Sequence, residues 1–97
     1  IWSRLVGSEM CIRDSDNSMF VITEPIDNNK ATSGNGMTIA FNVKSEEEGN
    51  LWHQTGIDNG GISVEDPPGI RDYGEMKIYL AYLRDPSGNK LCAIKRL

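Results

Sequence analysis

Long apolar runs are missing from this chain of 97 residues. No stretch approaches the roughly 18 residues of a membrane span, and the first residues do not read as a signal peptide. Cysteine is scarce. Cys11 and Cys92 lie far apart with no CxxC spacing, which argues against a disulfide framework or zinc ribbon and for a reducing compartment. Clustered basic residues are missing too, apart from Lys95 and Arg96. With a formal net charge of -4, nucleic acid and anionic membrane are poor partners. The expectation is a cytoplasmic protein with no nucleic-acid or membrane partner.

What is present is ordinary for a soluble domain: 38% hydrophobic and 25% charged residues. The length allows one domain with a modest core. Such a core is marginal without a partner subunit, so a homodimer is expected.

Residues 1–15 show neither the helical nor the strand period. The stretch LVGSEMCIRDS, Leu5 to Ser15, resembles the translated adapter tail found at the ends of environmental shotgun sequences. It is set aside as a non-native tail, the alternative being an N-terminal helix. On that reading Cys11 has no function, the natural chain begins upstream of Asp16, and removing residues 1–15 leaves the stability unchanged.

Residues 19–23 (MFVIT) read as a strand stopped by Pro25, and 26–36 as a polar loop. Residues 37–43 (MTIAFNV) alternate, with Met37, Ile39, Phe41 and Val43 on one face and Thr38, Ala40 and Asn42 on the other. Ser45 and Glu48 form a capping box for a helix running to about Asn59. The acidic run Glu46 to Glu48 suits the helix dipole and has no calcium-loop spacing. Gly49 and Gly56 weaken that helix by roughly 1 kcal/mol each relative to alanine, and Gly60-Gly61 ends it. Residues 62–65 read as a short strand, 66–74 (DPPGIRDYG) as a loop, and 77–84 and 90–96 as strands joined by the turn Asp85-Pro-Ser-Gly-Asn89. The expected helix-to-sheet core is Ile39, Phe41, Val43, Leu51, Trp52, Leu91 and Ala93.

Residues 81–94, AYLRDPSGNKLCAI, resemble the C-terminal signature of the glyoxalase / bleomycin-resistance / dioxygenase (vicinal oxygen chelate) superfamily. The helix closed by Gly60-Gly61 and the Pro-rich loop through Arg71 and Tyr73 are similar to that group as well. The resemblance implies an α+β fold: one βαβββ module at 37–97, with 16–36 holding the last strand of a truncated first module. Two such modules normally pair and enclose a cavity for small molecules. A divalent metal is often held there by His and Glu.

The ligand positions can be matched one by one. The His two residues before the small-Phe pair, here Ala40-Phe41, is replaced by Thr38. The Glu three residues after the turn's Gly-Asn is replaced by Cys92. Neither makes a specific site, so no metal site and no cofactor are expected in this chain. A divalent metal then belongs only to a full-length protein.

Alternation and the resemblance together point Thr38, Tyr82 and Cys92 into the cavity, with Arg71 and Tyr73 in the loop over its mouth. These five are the candidate ligand-binding residues. Arg71 can hold a carboxylate or phosphate, although a loop arginine is more often solvated. His53, the only histidine, sits on the helix and is read as structural. A nucleophilic Cys92 would need a neighbouring base that the sequence does not supply. Three functions follow: binding of a small organic molecule without chemistry, a metal-dependent enzyme of the lactoylglutathione-lyase, isomerase or dioxygenase kind, and an inactive structural fragment. The absent ligands favour the first.

Overall fold

Two compact units divide the chain, one ending at Thr32 and the other spanning Ser33–Leu97. They are seen in a computed structural model that describes residues 9–13 and 19–97. The first unit holds two antiparallel strands, β1 (Glu9–Arg13) and β2 (Met19–Thr23), with Cys11 opposite Val21. Part of the segment expected to stay outside the fold therefore carries a paired strand. β2 falls where its β-branched run places it. The expectations for 1–8 and 14–15 lie outside the described residues.

The second unit is built on the strand periods of the C-terminal half. Its elements are β3 (Ile39–Asn42), α1 (Glu46–Asp58), β4 (Ile62–Ser63), β5 (Gly69–Asp72), β6 (Lys77–Arg84) and β7 (Lys90–Arg96). The sheet order is β3-β7-β6, with both β4 and β5 on the outer edge of β6. β3 runs parallel to β7, and the other pairs are antiparallel.

β5 lies inside the stretch expected to be loop. Its register with β6 explains why. Ser63 faces Leu83 and Gly69 faces Leu80, so β4 and β5 are one outer strand interrupted by a bulge at residues 64–68. Pro67 and Pro68 cannot donate ladder hydrogen bonds, and the strand breaks around them. The βαβββ order survives, with its second strand in two pieces.

The helix begins at Ser45, whose Oγ accepts from Glu48 N at 3.1 Å. Glu48 Oε2 in turn accepts from Lys44 N at 3.1 Å, one residue earlier than an ideal capping box. The β6–β7 turn is held by Asp85, whose carboxylate accepts from Ser87 N, Asn89 N and the Asn89 side chain. Gly88, at φ +93, supplies the left-handed residue this turn needs.

Alternation gives the sheet two apolar faces. Against α1 lie Val43, Tyr79, Ala81 and Ala93, with Trp52 packed on them from the helix. On the face away from α1, Ile78, Leu80 and Cys92 cluster with Tyr82 and Ile94. The buried helix stripe is Gly49, His53 and Gly56, at helical spacing.

Two members of the expected core are misplaced. Leu51 is 68% exposed because it sits across the helix from that stripe, and Ile39 is exposed on the outer strand β3. Phe41 is only half-buried, tilted against Trp52 with ring centroids 6.3 Å apart. The buried helix-side residues of the central strand, Tyr79, Ala81 and Leu83, carry much of the core instead. Gly49 lets the helix approach: a Cβ there would fall 2.3 Å from the Tyr79 ring. Close packing is what offsets the helix-weakening glycine.

Candidate functional site

On β5, Arg71 pairs with Ile78 and so shares the face away from α1. On β6 the same face carries Leu80 and Tyr82, and on β7 it carries Lys90, Cys92 and Ile94 by alternation. Between the bulge and these strands lies a cavity of about 330 Å³, lined by Glu65, Asp66, Arg71, Asp72, Tyr73, Leu80 and Tyr82.

Three of the five expected site residues, Arg71, Tyr73 and Tyr82, meet in this cavity. Cys92 is buried on the same sheet face, directly opposite Tyr82, yet it does not line the space. Thr38 lies one residue before β3, is exposed and is not among the lining residues.

Arg71 is half-buried and already engaged. Its Nη1 donates to the carbonyls of Pro67 (2.9 Å) and Gly69 (3.1 Å), and its Nη2 to that of Asp66 (3.0 Å). The guanidinium clamps the bulge, and two of its five N–H groups remain for a ligand.

Sequence reasoning passed over Glu65 and Lys90. Glu65 lines the cavity from the bulge with a left-handed backbone, φ +59. Its carboxylate pairs with the Lys90 ammonium, which also lies 4.9 Å from the centre of the Tyr82 ring. Lys90 was legible from alternation with Cys92. Glu65 was not, because nothing local predicts a left-handed glutamate.

The protonation states are set by burial. Burial pushes the Cys92 thiol up, and the Glu65 carboxylate adds to it. The Tyr82 phenol is also raised, first by burial and then by Cys92 and Glu65. Both stay protonated near neutral pH, so Cys92 is a poor nucleophile and a poor metal ligand there. The thiol makes only a weak contact with the Ala93 carbonyl, at 3.5 Å.

His53 is buried on the other side of the sheet. Its Nε2 lies 3.1 Å from Ser63 Oγ and 3.2 Å from the Tyr82 carbonyl. A carbonyl can only accept, so this contact is met with the proton on Nε2. The residue ties α1 to β4 and β6. Among the described residues no three His, Cys, Asp or Glu side chains come together as metal donors. The two positions where the resemblance places a metal's His and Glu hold Thr38 and a protonated Cys92, and these do not fit a divalent ion.

The topology β3-α1-β4/β5-β6-β7, with a helix on one sheet face and a cavity on the other, defines an α+β protein of the βαβββ type. No family model and no curated protein matches the chain. Solved structures do. A glyoxalase/bleomycin resistance protein from Albidiferax ferrireducens T118 is 46% identical over 94% of this chain and 73% of its own, with a TM-score of 0.84. At 20% identity, a glyoxalase/bleomycin resistance protein/dioxygenase family enzyme from Burkholderia phytofirmans PsJN shares the fold (TM-score 0.67, 96% of this chain, 75% of that one). So does a hypothetical protein from S. aureus, at 16% identity (TM-score 0.62, 89% and 75%). The chain belongs to the glyoxalase/bleomycin resistance/dioxygenase family. None of its described helices is long and apolar enough to cross a membrane.

Proposed function

We propose that this protein binds a small organic molecule in the cavity beside Tyr82, without a complete metal site of its own. The observation that carries the reading is the convergence of Arg71, Tyr73, Leu80 and Tyr82 around about 330 Å³. That is the lower end of ligand-pocket sizes, with a largely polar lining to orient the guest and Leu80, Tyr73 and Tyr82 to contact its body. A binding role is favoured over catalysis because the candidate nucleophile Cys92 is buried and held protonated. A metal-dependent lyase, isomerase or dioxygenase would need ligands that the matched positions, Thr38 and Cys92, do not provide. They would have to come from a further module. We propose a homodimer in the cytoplasm as the working form.

The test is a fragment screen by ligand-observed NMR on the full chain, repeated with Tyr82→Ala. Fragments that bind should lose roughly tenfold in affinity when the aromatic wall is removed, about 1.4 kcal/mol. If no fragment responds to Tyr82→Ala, with the variant's fold verified by circular dichroism, the cavity is not the binding site.

A further inference from the structure

Granted the cavity as a ligand site, the protein's own ammonium lies at its edge. Lys90 Nζ sits 4.9 Å from the Tyr82 ring centre and forms an ion pair with Glu65. An aromatic face and a carboxylate, both lining the cavity, thus already embrace an ammonium. We infer that Glu65 and Tyr82 are the recognition pair for an organic cation, a protonated amine on an apolar or aromatic body, and that Lys90 holds the cation position until such a ligand displaces it.

The surroundings agree in sign. The lining brings Glu65, Asp66 and Asp72 against Arg71 alone. An anionic guest would meet the Glu65 carboxylate in an acidic stretch of lining, while the one guanidinium already gives three of its donors to bulge carbonyls. A cationic guest gains from the same charges, and Leu80 and Tyr73 offer apolar and aromatic contact to its body. The bulge aims Glu65 at this point. Three residues more lie on the outer strand than on β6 between the Ser63–Leu83 and Gly69–Leu80 pairs, and Arg71 pins that slack in place.

The internal cation can leave. Lys90 and Glu65 side chains are 25% and 46% exposed, so their pairing is partly screened, and displacing it should weaken a ligand by no more than about fivefold. The four-carbon lysine stem allows the ammonium to swing into solvent.

Benzylammonium, benzyl alcohol and benzoate, titrated into the full chain and followed by amide chemical shifts at Tyr82 and Glu65, separate the possibilities. Benzylammonium is expected to bind, benzyl alcohol about tenfold more weakly, and benzoate not measurably. Lys90→Met should tighten benzylammonium about two- to fivefold by emptying the position, and Glu65→Gln should weaken it about tenfold. Lys44→Met, which removes an equal charge from an exposed position just before α1, should change nothing. Tighter binding of benzoate, lost in Lys90→Met, would overturn the inference and make Lys90 an anion contact. Weaker benzylammonium binding in Lys90→Met would overturn it as well. Equal binding of all three probes would sink the cation preference while leaving the cavity as a ligand site. Binding of none, in folded protein, would end both.

Discussion

Gly49→Ala puts two opposed effects in competition at one atom. In an isolated helix the change would stabilise by about 1 kcal/mol, because alanine restricts the unfolded chain and favours the helix. In this fold the new methyl meets the Tyr79 ring, 2.3 Å from Cε2 and 2.7 Å from both Cζ and the hydroxyl. Carbon contacts are comfortable near 3.5–4.0 Å, so one side must give by more than an ångström. Tyr79 has little room to move: it is 1% exposed on the central strand, and its hydroxyl donates to Asn50 Oδ1 at 2.7 Å. Overpacking of this kind costs about 1–3 kcal/mol, and three side-chain atoms in conflict argue for the upper part of that range. The net is a loss of about 1–2 kcal/mol, or about 5–15 °C in Tm for a domain of this size. Urea unfolding monitored by circular dichroism measures it. A double-mutant cycle with Tyr79→Leu should recover most of the clash, since the two side chains share one space. A Gly49→Ala variant more stable than the parent would refute the reasoning: the ring would not lie under the helix, and the helix would sit farther from the sheet.

Four further outcomes follow from the same geometry. Tyr79→Phe should cost about 1 kcal/mol through the lost bond to Asn50. It should also lessen alkaline unfolding: burial, then Glu46, raises the Tyr79 hydroxyl, so its stabilisation is present below the ordinary tyrosine range and lost as pH climbs through it; an unchanged alkaline limb in a pH series of Tm would count against this. Cys92 should resist iodoacetamide in the native protein at neutral pH and react only as the protein unfolds, since it is buried and its thiol is raised; peptide mass spectrometry locates the label. Phe41→Ala should cost roughly 1–3 kcal/mol, below the range for a fully buried phenylalanine, because the ring is half-buried against Trp52. Calorimetric titration of the reduced chain with zinc, nickel and manganese should give no binding tighter than micromolar; stoichiometric binding would bring the metal enzyme to the front.

Elements whose cause is local are legible in the amino-acid sequence alone. Alternation over 37–43 and 90–96 assigns two sheet faces, and the parallel register of Phe41 with Ala93 and of Ala40 with Cys92 keeps those faces together. Ser45 with Glu48 marks the start of α1, and Asp85 to Asn89 carries its own turn chemistry. These signals act between residues a few positions apart, where side-chain type and backbone preference suffice. The family resemblance in 81–94 rests on the same stretch of turn and strand, and the relative at 46% identity agrees with it.

Other features depend on partners distant in sequence, and there only the tertiary structure decided. β5 reads as loop because prolines and glycines surround it; it becomes a strand only because the β6 edge offers a ladder to residues 69–72. The helix phase places Leu51 outside and the glycines inside because the Tyr79 ring, far along the chain, needs the space. Glu65 reaches Lys90 and Tyr82 through a left-handed backbone that no glutamate prefers alone. Each is a long-range contact overriding a local preference worth about 1 kcal/mol, which is why a sequence period can name the faces of this sheet but not the residues that meet across it.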